Sequence, residues 1–217
     1  MSVRPYPTTK PAQTPWLDKI PSHWNEKPML AVASKKQVNN TGMKEDNLLS
    51  LSYGKIKRKD INTSDGLLPA SYETYQIVEP DDIVFRLTDL QNDKRSLRSA
   101  ICRERGIITS AYVAVKPEDI DSAFLNYLMR AYDVQKVFYS MGGGLRQSLG
   151  FADLRRLPVV APEIDEQRTI ARYLDCETAR IDTLIIQTNR SIVLLKEKRA
   201  ALITAAVTGK IDVRSAS

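Results

Sequence analysis

The chain has 217 residues, 42% of them hydrophobic and 27% charged, which are globular proportions and exclude a disordered chain. That length suffices for one domain with its own core plus an appendage. The net charge of +6 and a pI near 9.3 suggest a polyanionic partner, nucleic acid or an anionic membrane.

In chain order, residues 1–24 are proline-rich (Pro5, Pro7, Pro11, Pro15, Pro21) and read as an extended arm that Trp16 and Trp24 pin to a domain. Short strands follow at Leu48–Tyr53, Thr74–Val78, Asp82–Leu87 and Ile107–Val115, each bounded by turn formers. Gly54, Gly66 and Gly106 read as turn glycines. A helix is expected over Pro117–Met141, with Asp121 or Ser122 as cap and Phe124, Leu125, Leu128 and Tyr132 as its apolar face. Gly142-Gly143-Gly144 stops it. Phe151–Leu157 reads as a helical turn, and Leu157–Pro162 as an extended connector.

From Asp165 to about Thr208 there is neither proline nor glycine. Leu174, Ile181, Thr188, Leu195 and Leu202 recur at heptad spacing, and Ile185, Ile192 and Ala206 fall four residues after members of that set. Asp165 and Glu166 open this helix, Gly209 stops it and Lys210 follows. At ~1.5 Å per residue it would be on the order of 60 Å long, more than a small domain of roughly 30–40 Å, so it is expected to protrude and to need a partner helix. Residues 161–217 carry 9 Lys+Arg against 8 Asp+Glu, and residues 1–160 carry 23 against 18, so the excess positive charge belongs to the globular part. The fold class is α+β. Residues 1–160 are expected to form one globular domain, 161–210 a coiled-coil-type helix that associates with a partner helix, and 211–217 a short tail.

The missing motifs narrow the chemistry. There is no phosphate loop G-x-x-x-x-G-K-[ST], no G-x-S-x-G elbow and no H-E-x-x-H. Cys102 and Cys176 lie far apart and His23 is the one histidine, so zinc lacks ligands; two lone cysteines fit a reducing cytoplasm. No apolar run of about 18 residues could span a membrane, and Met1–Lys10 contains no secretory h-region. No catalytic set and no metal site is assigned. Three basic, polar clusters remain. The first is Lys55, Lys57, Arg58 and Lys59. The second is Arg86, followed by Lys94, Arg95 and Arg98, with the polar stretch Asp89-Leu90-Gln91-Asn92 between them. The third is Arg146 and Gln147 on the triple-glycine loop. Arg grips guanine, Gln and Asn grip adenine, and Lys neutralises phosphate, so Lys55, Lys57, Arg58, Arg86, Gln91, Asn92, Lys94, Arg95, Arg146 and Gln147 are the DNA-binding candidates.

Several stretches resemble the specificity subunit of type I restriction–modification systems. They are the opening Trp16 to Trp24 with Ile20-Pro21-Ser22-His23, the core segment Asp82 to Asn92, Arg105 to Tyr112, and Gly144-Leu145-Arg146-Gln147-Ser148-Leu149. Pro158 to Ile170 with Asp165-Glu166-Gln167, and Ala205 to Ile211, complete the resemblance in order. A usual specificity subunit has two recognition domains and two spacer helices; this chain has one of each and resembles half a subunit. The resemblance implies a non-catalytic subunit that reads half of a split target in double-stranded DNA and docks DNA adenine methyltransferase subunits. S-adenosylmethionine, ATP and Mg are then expected only in partner subunits, the methyltransferase and a restriction/translocase subunit, in the cytoplasm and away from membranes. Leu174, Ile181, Ile185, Ile192, Leu195 and Leu202 would join two copies as a homodimer, and two identical readers on a two-fold axis would prefer a palindromic split site. The alternatives are a truncated, inactive fragment that occupies the methyltransferase without reading DNA, and a small DNA-modifying enzyme, against which the missing motifs argue.

Overall fold

The computed structural model describes residues 4–62, 69, 71–91, 96–141 and 148–214. It divides into two compact units, residues 1–171 and 172–217, and the division falls inside the last helix.

The first unit begins with strands β1 (Thr9–Pro11), β2 (Lys19–Pro21), β3 (Asn25–Pro28) and β4 (Ala33–Lys36). It continues through β5 (Leu49–Ser52), β6 (Lys55–Arg58), β7 (Gln76–Val78), β8 (Ile83–Phe85) and β9 (Ser99–Ile101), then β10 (Gly106–Ile108) and β11 (Val113–Pro117). Helices α1 (Ser122–Val134), α2 (Val137–Ser140) and α3 (Phe151–Leu154) precede β12 (Pro158–Ala161), and α4 runs from Ile164 to Val207.

An antiparallel four-stranded sheet in the order β4-β11-β8-β9 organises the core. Successive strand side chains point to opposite faces, and both faces are covered here. Ile83, Phe85 and Val115 join Phe124, Leu125, Met129 and Phe138 of the helices in one cluster. Val84 and Ala114 join Leu49, Val78, Cys102 and Ile108 in a second cluster on the other face. The second cluster is where the paired ribbons β5-β6 and β7-β10 attach. β12 returns to pair with β3, closing the unit.

The structure revises three local expectations. The run Ile107–Val115 is two strands, β10 and β11, split by a turn in which the Tyr112 N–H donates to the Thr109 carbonyl at 3.0 Å. The helix expected over 117–141 starts later, because Pro117 pairs with Ala33 as the end of β11. Asp121 is the cap, its carboxylate accepting from the Phe124 N–H at 2.9 Å, and Lys136, at φ 63°, separates α1 from α2. Gly106 is a buried strand residue and not a turn: a Cβ there would lie 2.5 Å from the Asn47 carbonyl oxygen. Gly66 lies outside the described residues.

The proline-rich N-terminus folds back as the β1-β2 ribbon. Trp16 packs edge-on against Tyr132 at 5.2 Å, and Trp24 against Phe124 at 6.1 Å. Two carboxylates tie it down. Glu26 accepts from the Gln13 and Thr14 N–H groups, each at 2.8 Å. Glu166 accepts from Tyr6 Oη at 2.7 Å, His23 Nε2 at 2.8 Å and Trp24 Nε1 at 3.3 Å. Burial works to raise both carboxyls, but these donors outweigh it and hold them below the ordinary value of 4.5. A depressed native pKa contributes stability above the unfolded value that is lost as pH falls through the native one. Hydrogen exchange should therefore show the Gln13 and Thr14 amides losing protection as pH drops below 4.5, before the amides of β8 and β11. Simultaneous loss throughout the unit would contradict this local release.

In the second unit, α4 continues with almost every side chain exposed. The whole helix is 44 residues long. Ile181, Ile185, Ile192, Leu195 and Leu202 are 43–64% exposed, and Leu174 is partly buried. The hydroxyls of Thr178, Thr183, Ser191 and Thr204 bond the carbonyl four residues back, which satisfies them within a helix. Gly209, at φ 70°, ends the helix.

Candidate nucleic-acid interface

The β5-β6 register sorts the first basic cluster. Ser50 lies opposite Lys57 and Ser52 opposite Lys55, while Leu49 lies opposite Arg58 and Leu51 opposite Ile56. Directly opposed residues share a face. Since Leu49 and Leu51 are buried, Ser50, Ser52, Lys55 and Lys57 face outward, and Arg58 belongs to the inner face. Arg58 Nε donates to both oxygens of Glu104, at 2.7 and 3.0 Å, and Asn47 donates to the same carboxylate at 3.0 Å. The Arg58 hydrogen bond holds the Glu104 carboxyl below its ordinary value. Arg58 thus carries a neutralised charge, whereas no carboxylate lies within ion-pair distance of Lys55 or Lys57 among the described residues.

Arg86 follows β8 directly, is partly buried, and donates its backbone N–H to the Arg98 carbonyl at 2.9 Å. Gln91 is exposed. Asn92, Lys94, Arg95, Arg146 and Gln147 lie outside the described residues. Arg98, grouped with the surface cluster on sequence, is fully buried. Its N–H donates to Asp133 Oδ2 at 2.6 Å; its guanidinium donates to Tyr139 Oη and the Thr88 carbonyl, both at 3.3 Å, and lies 5.8 Å from the Tyr139 ring centre. Burial pushes the Asp133 carboxyl up, with the Arg98 N–H acting against it. Arg98 therefore anchors the two ends of the polar segment that carries Arg86 and Gln91.

Two further cations join the ribbon. A cleft of about 240 Å³ beside β6 is lined by Lys55, Arg103, Asn126 and Arg130, three cations against the single carboxylate of Glu104. Arg130 Nη2 donates to the Gly54 carbonyl at 2.7 Å, fastening α1 to the ribbon turn. Neither arginine was a candidate on sequence: Arg103 follows β9, a strand with no sequence signal, and Arg130 sits off the apolar face of α1. The larger cleft, about 710 Å³, has the wrong sign for phosphate, since Glu79, Asp81, Asp82, Glu118, Asp119 and Asp121 line it against Lys36, Lys116 and Arg168. Cys102 is buried, which pushes its thiol up to about 11 and makes it a poor nucleophile. Among the described residues no group of three or more His, Cys, Asp or Glu could hold a metal ion, and no helix is long and apolar enough to cross a membrane.

A central sheet covered on both faces, a basic ribbon packed on one of them and a long C-terminal helix match the fold of a type I specificity subunit, over about half its length. A chain in a structure of the complex assembly and conformational transition of a type I restriction–modification system superposes with a TM-score of 0.61 at 15% identity, over 88% of this chain and 47% of that one. The HsdS subunit of Thermoanaerobacter tengcongensis superposes with a TM-score of 0.54 at 17% identity, over 92% of this chain and 48% of its own. In sequence, the chain is 23% identical over 207 residues to the protein assigned as the specificity subunit of the type I restriction enzyme MjaX of Methanocaldococcus jannaschii. That match covers 92% of this chain and 46% of the relative, so the chain spans about half the length of the curated relative it matches. No family model matches the sequence.

Proposed function

We propose that the chain is a half-length DNA-specificity subunit of a type I restriction–modification enzyme, which reads one half-site of a split target and pairs with a second copy through α4. The observation that carries this reading is the alignment of 88–92% of the chain with 47–48% of two solved chains, one from a type I restriction–modification assembly and one an HsdS subunit: two copies supply the extent of one such chain. Residues 1–160 read DNA, 161–210 form the spacer and dimerisation helix, and 211–217 are a tail. The chain is non-catalytic. DNA adenine methyltransferase subunits that bind S-adenosylmethionine dock on the dimer in the cytoplasm, and a restriction/translocase subunit supplies the chemistry that uses ATP and Mg. A two-fold arrangement of identical readers calls for a palindromic split target.

Selection from randomised duplexes tests the reading. The dimer should enrich a split palindrome, and a pool that stays random after selection would sink the proposal. On the enriched duplex, Lys55→Ala and Lys57→Ala should each lower the slope of log affinity against log salt by about 1, since each phosphate contact releases counterions. Both should weaken random and enriched DNA alike. Arg58→Ala, whose charge Glu104 already neutralises, should change the slope less than either lysine.

A further inference from the structure

The tip of the β5-β6 ribbon is a two-residue turn, Tyr53-Gly54, with φ of 48° and 71°. Such a turn, with both central residues at positive φ, matches strand twist and favours Asn or Asp before Gly. A bulky aromatic residue in the left-handed region is strained. No packing offsets that strain here, because Tyr53 is 71% exposed. The ribbon beneath it is rigidly held. Leu49 and Leu51 are buried, the Gly54 carbonyl accepts from Arg130 Nη2 at 2.7 Å, and a Cβ on Gly54 would meet Leu97 at 2.8 Å. A strained aromatic side chain is thus presented to solvent on a fixed support.

Its surroundings identify what it meets. The outward face next to the tip carries Lys55 and Lys57 opposite Ser52 and Ser50. These are two cations and two hydroxyls, groups that bind phosphate oxygens. A two-stranded ribbon fits the major groove of duplex DNA. Inserted tip first, it would bring the lysines and serines to the groove walls and the Tyr53 ring to the base edges. There the ring can make apolar contact with a thymine methyl while its hydroxyl bonds a neighbouring base. We propose that Tyr53 is a specificity-determining residue that contacts bases, with Ser50, Ser52, Lys55 and Lys57 positioning the ribbon on the backbone. This rests on the DNA-reading function proposed above.

Tyr53→Asn provides the test, because it installs the residue the turn prefers and so separates function from folding. The variant should unfold at the same or a higher temperature than the wild type and keep the same affinity and salt slope on randomised duplex. Its affinity for the wild-type-enriched duplex should fall roughly tenfold or more, as expected for one lost base contact, and renewed selection should give a relaxed base preference. Tyr53→Phe, which keeps the ring, should retain most of the discrimination. Unchanged enrichment and affinity in Tyr53→Asn would overturn the inference and leave the half-length specificity reading standing. Intact DNA selection with lost binding to a methyltransferase subunit would assign the tip to a protein contact and also overturn it. A wild-type chain that enriches no sequence would remove the underlying reading itself.

Discussion

Ile185→Asp combined with Ile192→Asp should turn a dimer into a monomer, seen as a halved mass by light scattering. The two residues lie seven apart on one face of α4, at 51% and 43% exposure, with Leu174, Ile181, Leu195 and Leu202 continuing the stripe. On a two-fold axis each substitution acts twice, so four buried isoleucines are lost. At about 2 kcal/mol each this is about 8 kcal/mol, or roughly five to six orders of magnitude in the dissociation constant. Four carboxylates placed in an apolar seam add to the loss. Ile186 provides the control. It is 69% exposed but, at about 100° per residue, sits about 120° around the helix from Ile192. Ile186→Asp should leave the dimer intact. In the proposed assembly that second side of the helix, with Val193, remains available to a methyltransferase subunit. A monomeric wild type would sink the homodimer, and the palindromic target with it.

The helix was legible because its signal is local and long: one apolar period repeated over 44 residues, free of proline and glycine. Strands β5, β7 and β8 were legible for a related reason, as short apolar runs between turn formers. β6 reads Lys-Ile-Lys-Arg and looks like a solvated charge run, while its pairing with β5 comes only from the fold. β3 pairs with β12 from the opposite end of the unit, and nothing in its Asn-Glu-Lys-Pro sequence announces a partner that distant. The same limit governs the candidate site. Lys55, Lys57 and Arg58 are equivalent as a sequence, yet register puts two on one face and the third on the other, where it pairs with Glu104. Tyr53 carries no sequence signal of function; its positive φ and exposure together mark it. Arg98 sits among Lys94 and Arg95 and reads as surface charge, although it is fully buried.

That burial makes Arg98→Leu the substitution with the largest expected effect on the stability of the first unit. The Arg98 backbone N–H would still donate to Asp133, but the bonds from its guanidinium to Tyr139 Oη and the Thr88 carbonyl, in a fully buried site, would be lost. Leaving such buried partners unsatisfied costs about 1–3 kcal/mol each, measurable by denaturant unfolding. Asp133→Ala should also destabilise the unit, because it leaves the buried Arg98 N–H without its acceptor. The pH dependence has a defined sign. Burial raises the native Asp133 pKa above the ordinary 3.8, so its contribution is fully present below that value and is lost as pH rises through the native one. Asp133→Asn should remove that part of the pH profile. Because Arg98 also holds the Thr88 carbonyl, Arg98→Leu should loosen the segment bearing Arg86 and Gln91, and selection among duplexes should degrade under conditions where the variant is still folded. A loss below about 1 kcal/mol would mean that the buried guanidinium does not fix that segment.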